Sequence, residues 1–148
     1  MKRAMAKSFK LQVITPSKLF YEGDVELVIV RTLTGEEGYM ADHSWACKLL
    51  DVGDIWIQEA GGKAFKGATV AGGFVDVMND IIIYTDAAEW ADDIDRERAL
   101  EEQAAAENWL NEHLGPDENP EHIERAQISV SKQKARLHMT DSTSRRRK

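Results

Sequence analysis

The stretch Ile94-Asp95-Arg96-Glu97-Arg98-Ala99 divides the chain into two kinds of sequence. Before it, apolar residues come in short, β-branched runs punctuated by glycine. After it come alanine, glutamate, glutamine and leucine, which are helix formers. The change predicts a β-rich unit over residues 1–90 and a helical unit over 91–148.

Upstream, Phe9-Lys10-Leu11-Gln12-Val13 alternates as a half-buried strand does. Thr15-Pro16-Ser17 reads as a turn. Val25, Leu27 and Ile29 alternate with Glu26, Val28 and Val30, which predicts a strand partly covered on both faces. Gly35 and Gly38 are expected to bracket a turn. Asp54-Ile55-Trp56-Ile57 reads as a strand, Ala60-Gly61-Gly62-Lys63 as a hairpin turn, and Phe65 to Val70 as its return arm. Phe74 to Val77 and Ile81 to Thr85 complete the set. Eight or more short strands with no helix between them predict an antiparallel sandwich or barrel.

Downstream, Asp92 or Asp95 is placed to cap a helix, and acids in the first turn suit its positive end. That helix is expected from about Asp93 to Leu114, where Gly115-Pro116 stops it. Leu100 and Ala104 lie four apart, as do Ala106, Leu110 and Leu114. The short loop to Pro120 predicts that a second helix, about Glu121 to His138, folds back antiparallel. Its apolar stripe of Ile123, Ala126, Val130 and Leu137 is thin and broken by Gln127 and Lys134, so packing holds it weakly. Ser142 to Lys148 reads as a basic tail. The fold class is therefore α+β, an N-terminal antiparallel β-sandwich followed by a C-terminal two-helix hairpin.

With 43% apolar residues, the chain has enough for a core. Its single cysteine, Cys47, excludes an internal disulfide and suits a reducing compartment. No run reaches the length of a membrane span, and Met1 to Lys7 is basic but leads into no apolar segment, so neither a span nor a secretory signal is expected. A net charge of −7 argues against nucleic acid as the main partner. Residues 92–124 hold twelve acids and two bases, whereas 125–148 hold one acid and eight bases. Such runs read as solvated surface, or as a basic segment able to lie on the acidic one or leave it for another.

Three stretches, in order, carry a resemblance: Gly35-Glu36-Glu37-Gly38 leading to His43; Val70-Ala71-Gly72-Gly73-Phe74-Val75-Asp76-Val77; and Ala88-Glu89 followed by Ile94-Asp95-x-x-Arg98-Ala99. With the β-then-hairpin layout they resemble the ε subunit of the F-type ATP synthase over about Ser8 to Met139. Ala41 and Asp42 stand where the family usually has proline and glycine.

The resemblance implies a non-catalytic central-stalk subunit at the cytoplasmic face of the bacterial inner membrane, peripheral and touching the membrane only through the complex. Its sandwich would dock on the γ subunit and the c-ring, with Met40, His43 and Trp45 as interface candidates. Its hairpin would rise toward the catalytic α and β subunits and inhibit ATP hydrolysis through Lys132, Lys134 and Arg136. No cofactor is implied beyond regulatory ATP, for which Ile94, Asp95, Arg98 and Ala99 form the family's sensing motif, with Arg125 as a further cation from the second helix. Three residues apart on a helix, Asp95 and Arg98 can meet one ligand. They read equally as a helix cap and a solvated first-turn residue. Trp45 with Met40 and Leu49-Leu50 reads either as core or as an exposed apolar patch. Trp90 and Trp109 are the tryptophans placed to pack helices onto the sandwich.

Other chemistry is not expected. Asp42-His43-Ser44 are consecutive on an extended chain and point alternately to opposite sides, so they form no triad. His43 with Cys47 lacks an acid partner, the histidines show no zinc spacing, and no GxxxxGK[ST] loop is present. The alternative reading is a free-standing nucleotide sensor with a helical lid. An enzyme using the hairpin as a dimerisation arm is the third.

Overall fold

A computed structural model of the chain describes residues 7–146, with side chains described through Asp141. Seven strands, β1 (Phe9–Ile14), β2 (Leu19–Thr32), β3 (Gly35–Tyr39), β4 (Ala46–Glu59), β5 (Phe65–Val77), β6 (Ile81–Tyr84) and β7 (Ala88–Trp90), are followed by a 3-10 turn, Ala91–Asp93. Two helices, α1 (Arg96–Glu112) and α2 (Pro120–Arg146), form the hairpin.

The strand order is β1-β6-β5-β4-β2-β3, and β1 also pairs with β2, so five strands close on themselves. β3 extends from β2, and β7 pairs with β5 over Ala68↔Trp90 to Val70↔Ala88. The sandwich is not wholly antiparallel: β1 and β6 run parallel from Leu11↔Ile81 to Ile14↔Tyr84. Closure leaves β1 and β6 no free edge between them, which removes a template for aggregation.

The strands are fewer and longer than expected, because several glycines taken as strand ends lie inside strands. β5 passes through Gly72 (φ 77) and Gly73 (φ 106) without ending, and pairs with β4 on both sides of them. That conformation is open to glycine and strained for other residues. The expected turn at Gly35–Gly38 is strand β3. The chain turns at Leu33–Thr34 instead, where the Thr32 hydroxyl donates to the Gly35 carbonyl at 2.9 Å. In β2 the inward set shifts from Val25 to Val28 and Val30, because the register with β4 breaks between Val25 and Leu27.

The core is built from Leu11, Val13, Val28, Ile55, Val75, Ile83 and their neighbours, all from strands. Each such side chain contributes about 1.5–3 kcal/mol on full burial. No helical residue belongs to this cluster.

Asp95 caps α1: its carboxylate accepts the Arg98 backbone N–H at 3.1 Å. The helix therefore starts at Arg96, later than expected, and ends at Glu112. Its inward face is Ala99, Glu102, Gln103, Ala106, Trp109, Leu110 and His113, a regular helical spacing. Leu100 and Leu114 point outward. α2 opens on Pro120 and runs past the expected end at His138 to Arg146. The basic tail is thus helical in backbone as far as it is described; Arg147, Lys148 and Met1 to Ala6 lie outside the described residues. Among the described residues of α2 the buried side chains are Gln133 and Met139, while the expected stripe of Ile123, Ala126, Val130 and Leu137 is only half-buried.

A side chain at Gly73 would run into the Tyr84 carbonyl oxygen as well as adopt a left-handed φ. Gly73→Ala is expected to destabilise the sandwich by about 3 kcal/mol, read as a lowered urea midpoint.

Candidate functional site: the hinge and the docked hairpin

Between the 3-10 turn and α1, Ile94 and Asp95 are extended (φ −74, ψ 122 and φ −85, ψ 103), which makes a two-residue hinge. Ile94 is half-buried, Asp95 holds the helix cap, and Ala99 is fully buried behind them. The Arg98 guanidinium reaches forward along its own helix to Glu102, 2.8 Å away, and the side chain is 70% exposed. Its hydrogen bond to the Glu102 carboxylate, and that group's charge, hold its pKa above the usual value.

From the other helix, Arg136 makes a forked contact with Glu89 of β7, at 2.9 and 3.1 Å, and donates to the Gln133 amide oxygen at 2.8 Å. Gln133 in turn donates to Glu102 at 2.9 Å. The Arg136 guanidinium lies 3.8 Å from the same carboxylate. A continuous chain of partners, Arg98–Glu102–Gln133–Arg136–Glu89, therefore joins α1, α2 and the last strand. Forked guanidinium–carboxylate contacts are directional and stronger than single ones. Arg96 adds a second tie, donating to Thr140 and Asp141, both at 2.9 Å.

This geometry reassigns the basic residues of α2. Arg125 sits eleven residues before Arg136, about 16 Å along the helix axis, and the hinge faces the other end of α2. The structure does not bring Arg125 to Asp95 and Arg98. Arg136, expected with Lys132 and Lys134 to contact the catalytic head, is only 16% exposed in the docked hairpin and engaged beside the hinge. Lys132 and Lys134 remain exposed. Hairpin pairing would have shown this: Glu102 faces Gln133 and Arg96 faces Asp141, so Arg98 lies opposite the turn after Arg136. Beside Arg136, a crevice of about 380 Å³ runs between α2 and the strands, lined by Val52, Val70, Ala88, Glu89 and Lys132.

At the end of the sandwich where Phe9, the β3–β4 loop and Met78 meet, a shallow hollow of about 480 Å³ is lined by Asp42, His43 and Trp45. Met40, Trp45, Met78 and Leu49 are exposed, at 58%, 68%, 46% and 63%, while Leu50 is buried. Trp45 is therefore not core. Asp42 adopts a left-handed φ of 65 and pairs with Lys7. His43 Nδ1 donates to the Ser44 carbonyl at 2.7 Å, and its ring stands edge-on to Tyr39. Neither contact is that of a catalytic triad. The Tyr39 phenol donates to Glu37 at 2.6 Å, and Lys48 contacts the same carboxylate at 2.7 Å. Lys48 and Tyr39 hold the Glu37 carboxyl below its ordinary range, while burial pushes the Tyr39 phenol up.

Trp90 and Trp109 each take an aromatic partner close in space. Trp90 stacks on Phe20 at 4.5 Å, within the sandwich. Trp109 stacks on His113 at 4.2 Å, near the hairpin tip. A third tryptophan, Trp56, which the sequence did not single out for this, is buried against Met139 of α2. Among the described residues no helix is long and apolar enough to cross a membrane.

A closed sandwich carrying a docked hairpin defines a class, and the matches to known proteins agree with it. Residues 8–91 match the family model described as ATP synthase, Delta/Epsilon chain, beta-sandwich domain. The ATP synthase epsilon chain of Alkaliphilus metalliredigens is 45% identical over 107 residues, covering 72% of this chain and 78% of the relative. That of Caldicellulosiruptor saccharolyticus is 37% identical over 134 residues, covering 90% and 93%. A chain of the Euglena gracilis mitochondrial ATP synthase, solved with OSCP, F1 and c-ring, has the same fold: TM-score 0.74 at 19% identity, over 91% of this chain and 82% of that one. This chain belongs to the ATP synthase epsilon chain family.

Truncating Arg136 strands a half-buried Glu89 and breaks the chain of partners. Arg136→Ala is expected to weaken hairpin docking by about 1–3 kcal/mol, seen as faster hydrogen exchange in α2. Arg98→Ala, in solvent, leaves that exchange unchanged.

Proposed function

We propose that this chain works as a non-catalytic central-stalk subunit whose hairpin regulates ATP hydrolysis. On this reading the sandwich docks on the γ subunit and the c-ring at the cytoplasmic face of the membrane. The exposed Met40–His43–Trp45 end is the contact surface. The hairpin leaves the sandwich, extends toward the catalytic α and β subunits and blocks hydrolysis, with Lys132 and Lys134 presented to an acidic surface there.

One observation carries the reading: the sandwich core closes without a single helical residue. The hairpin is thus attached to a finished core, and among the described residues the buried apolar side chains outside that core are Trp56, Met139 and Ala99. Such an appendage belongs to the low-stability end of a structure and is suited to switching. Family membership supports the partners, as does the similar Euglena chain, solved with OSCP, F1 and c-ring.

A regulatory role for ATP follows from the same site. Arg98 and Arg136 converge on Glu102 from two helices. A nucleoside triphosphate would take both guanidiniums from Glu102 and Glu89, with Asp95 facing the base. Because both arginines come together only while α1 and α2 are paired, the ligand would favour the closed hairpin over one unfolded at its tip.

Hydrolysis by ATP synthase reconstituted with wild type, Lys132→Gln/Lys134→Gln or residues 1–92 tests inhibition. The double substitution is expected to relieve inhibition severalfold, and removal of the hairpin to relieve it fully, with assembly intact. Equal hydrolysis in all three defeats the inhibitory reading. For ATP, calorimetric titration is expected to show about a tenfold or greater loss of affinity in Arg98→Ala and Arg136→Ala. Unchanged affinity in both would show that the arginines are structural ties only.

A further inference from the structure

Trp56, Met139 and Ala99 are buried, yet none belongs to the core cluster of the sandwich. The first two meet over Gly67. Gly67 pairs with Trp56 across β4 and β5. A Cβ placed on Gly67 would lie 2.6 Å from Cζ3 and 3.0 Å from Cη2 of the Trp56 indole, and 2.9 Å from the Met139 sulfur. The Cζ3–Cη2 edge of the indole therefore fills the space beside the bare Cα of Gly67, and the thioether of α2 closes on the same spot.

Two further features make this a built slot. The indole N–H donates to Asp54 at 2.6 Å, and Asp54 is itself buried and 3.5 Å from Arg31. The ring is thus pinned to the sheet from its polar end. And Gly67, unlike Gly72 and Gly73, has no left-handed φ. Its backbone conformation is open to any residue, so what requires glycine here is the space taken by Trp56 and Met139. Methionine suits the other side, since an unbranched thioether fills an irregular gap and its sulfur contacts aromatic rings favourably.

We propose that Gly67, Trp56 and Met139 form the latch that sets how often the hairpin leaves the sandwich, with Gly67 as the residue that keeps it closed. Any side chain at 67 must displace the indole, which is rigid and would lose its bond to Asp54, as well as the sulfur, which is flexible. Met139 lies three residues from Arg136, so the apolar latch and the forked Arg136–Glu89 contact act on the same stretch of α2. Opening one lets water reach the other. The latch rests on packing alone; its consequence in the complex rests on the inhibitory reading above.

The test is native-state hydrogen exchange on the full chain, comparing amides of residues 133–141 with those of β1 and β6, in Gly67→Ala, Met139→Ala and the double variant. Each single substitution is expected to raise hairpin opening at least tenfold with the strands unchanged. The double variant should open no more than about the weaker-docked single, because both changes break one contact. Met139→Ala leaves the sheet untouched, so it decides the matter if Gly67→Ala also loosens the strands. Exchange within twofold of wild type in Met139→Ala, or free-energy effects that add in the double variant, overturns the latch. In reconstituted enzyme, Gly67→Ala should deepen inhibition of hydrolysis. Faster α2 exchange without that change leaves the latch standing and removes the inhibitory reading.

Discussion

The parallel pairing of β1 with β6 is the constraint on which the rest of the molecule depends. It joins the first strand to the last core strand, and with the β1–β2 pairing it turns an open sheet into a closed one. An open sheet would need the helices to cover an edge or a face. A closed sheet buries Leu11, Val13, Ile81 and Ile83 by itself, without a helical residue in the cluster. The attachment of the helices then rests on a few contacts outside the core, chiefly Trp56 with Met139 and Arg136 with Glu89.

Electrostatics arrange that attachment. The acidic and basic segments meet as the two arms of the hairpin, but few of the charges form close pairs. Glu102, at the centre, takes Arg98 on one oxygen and Gln133 on the other, with Arg136 nearby. Exposed pairs contribute little singly. The contact that matters is the one least exposed, Arg136 with Glu89, because it reaches from the helix to the strand. Among the described residues of α2, Lys132 and Lys134 stay exposed in the docked state, where they can meet another surface.

Much of this fold was legible in the sequence. The change at Ile94, the Asp95 cap, the Gly61-Gly62 hairpin and the antiparallel helices follow from local chemistry, and the structure has them. What was not legible depends on distant strands. Gly72 and Gly73 look like a strand end because glycine usually interrupts pairing, but here pairing with β4 continues around a corner. The parallel β1–β6 contact joins residues seventy apart and leaves no local mark. At the site, the motif residues Asp95, Arg98 and Ala99 were readable, whereas Arg136 was not. A charge on a helix declares its face only once the register of the two helices is known. Trp56 was hidden for the same reason, since a tryptophan in a strand reads as core and not as a seat for a helix.

The unequal lengths of the two helices carry a consequence of reach. α1 has 17 residues and α2 has 27. At 1.5 Å per residue they measure about 25 and 40 Å. Swung out as a closed pair about Ile94–Asp95, the hairpin would project roughly one α2 length from the sandwich. Unfolded at its tip, the same chain would project the sum, about 65 Å, enough to cross a second domain. Little guards that tip: the Trp109–His113 stack lies within α1 alone, and Gly115 has open space around it. The hairpin is thus a folding rule with two joints, the one at the hinge heavily tied and the one at the tip almost bare.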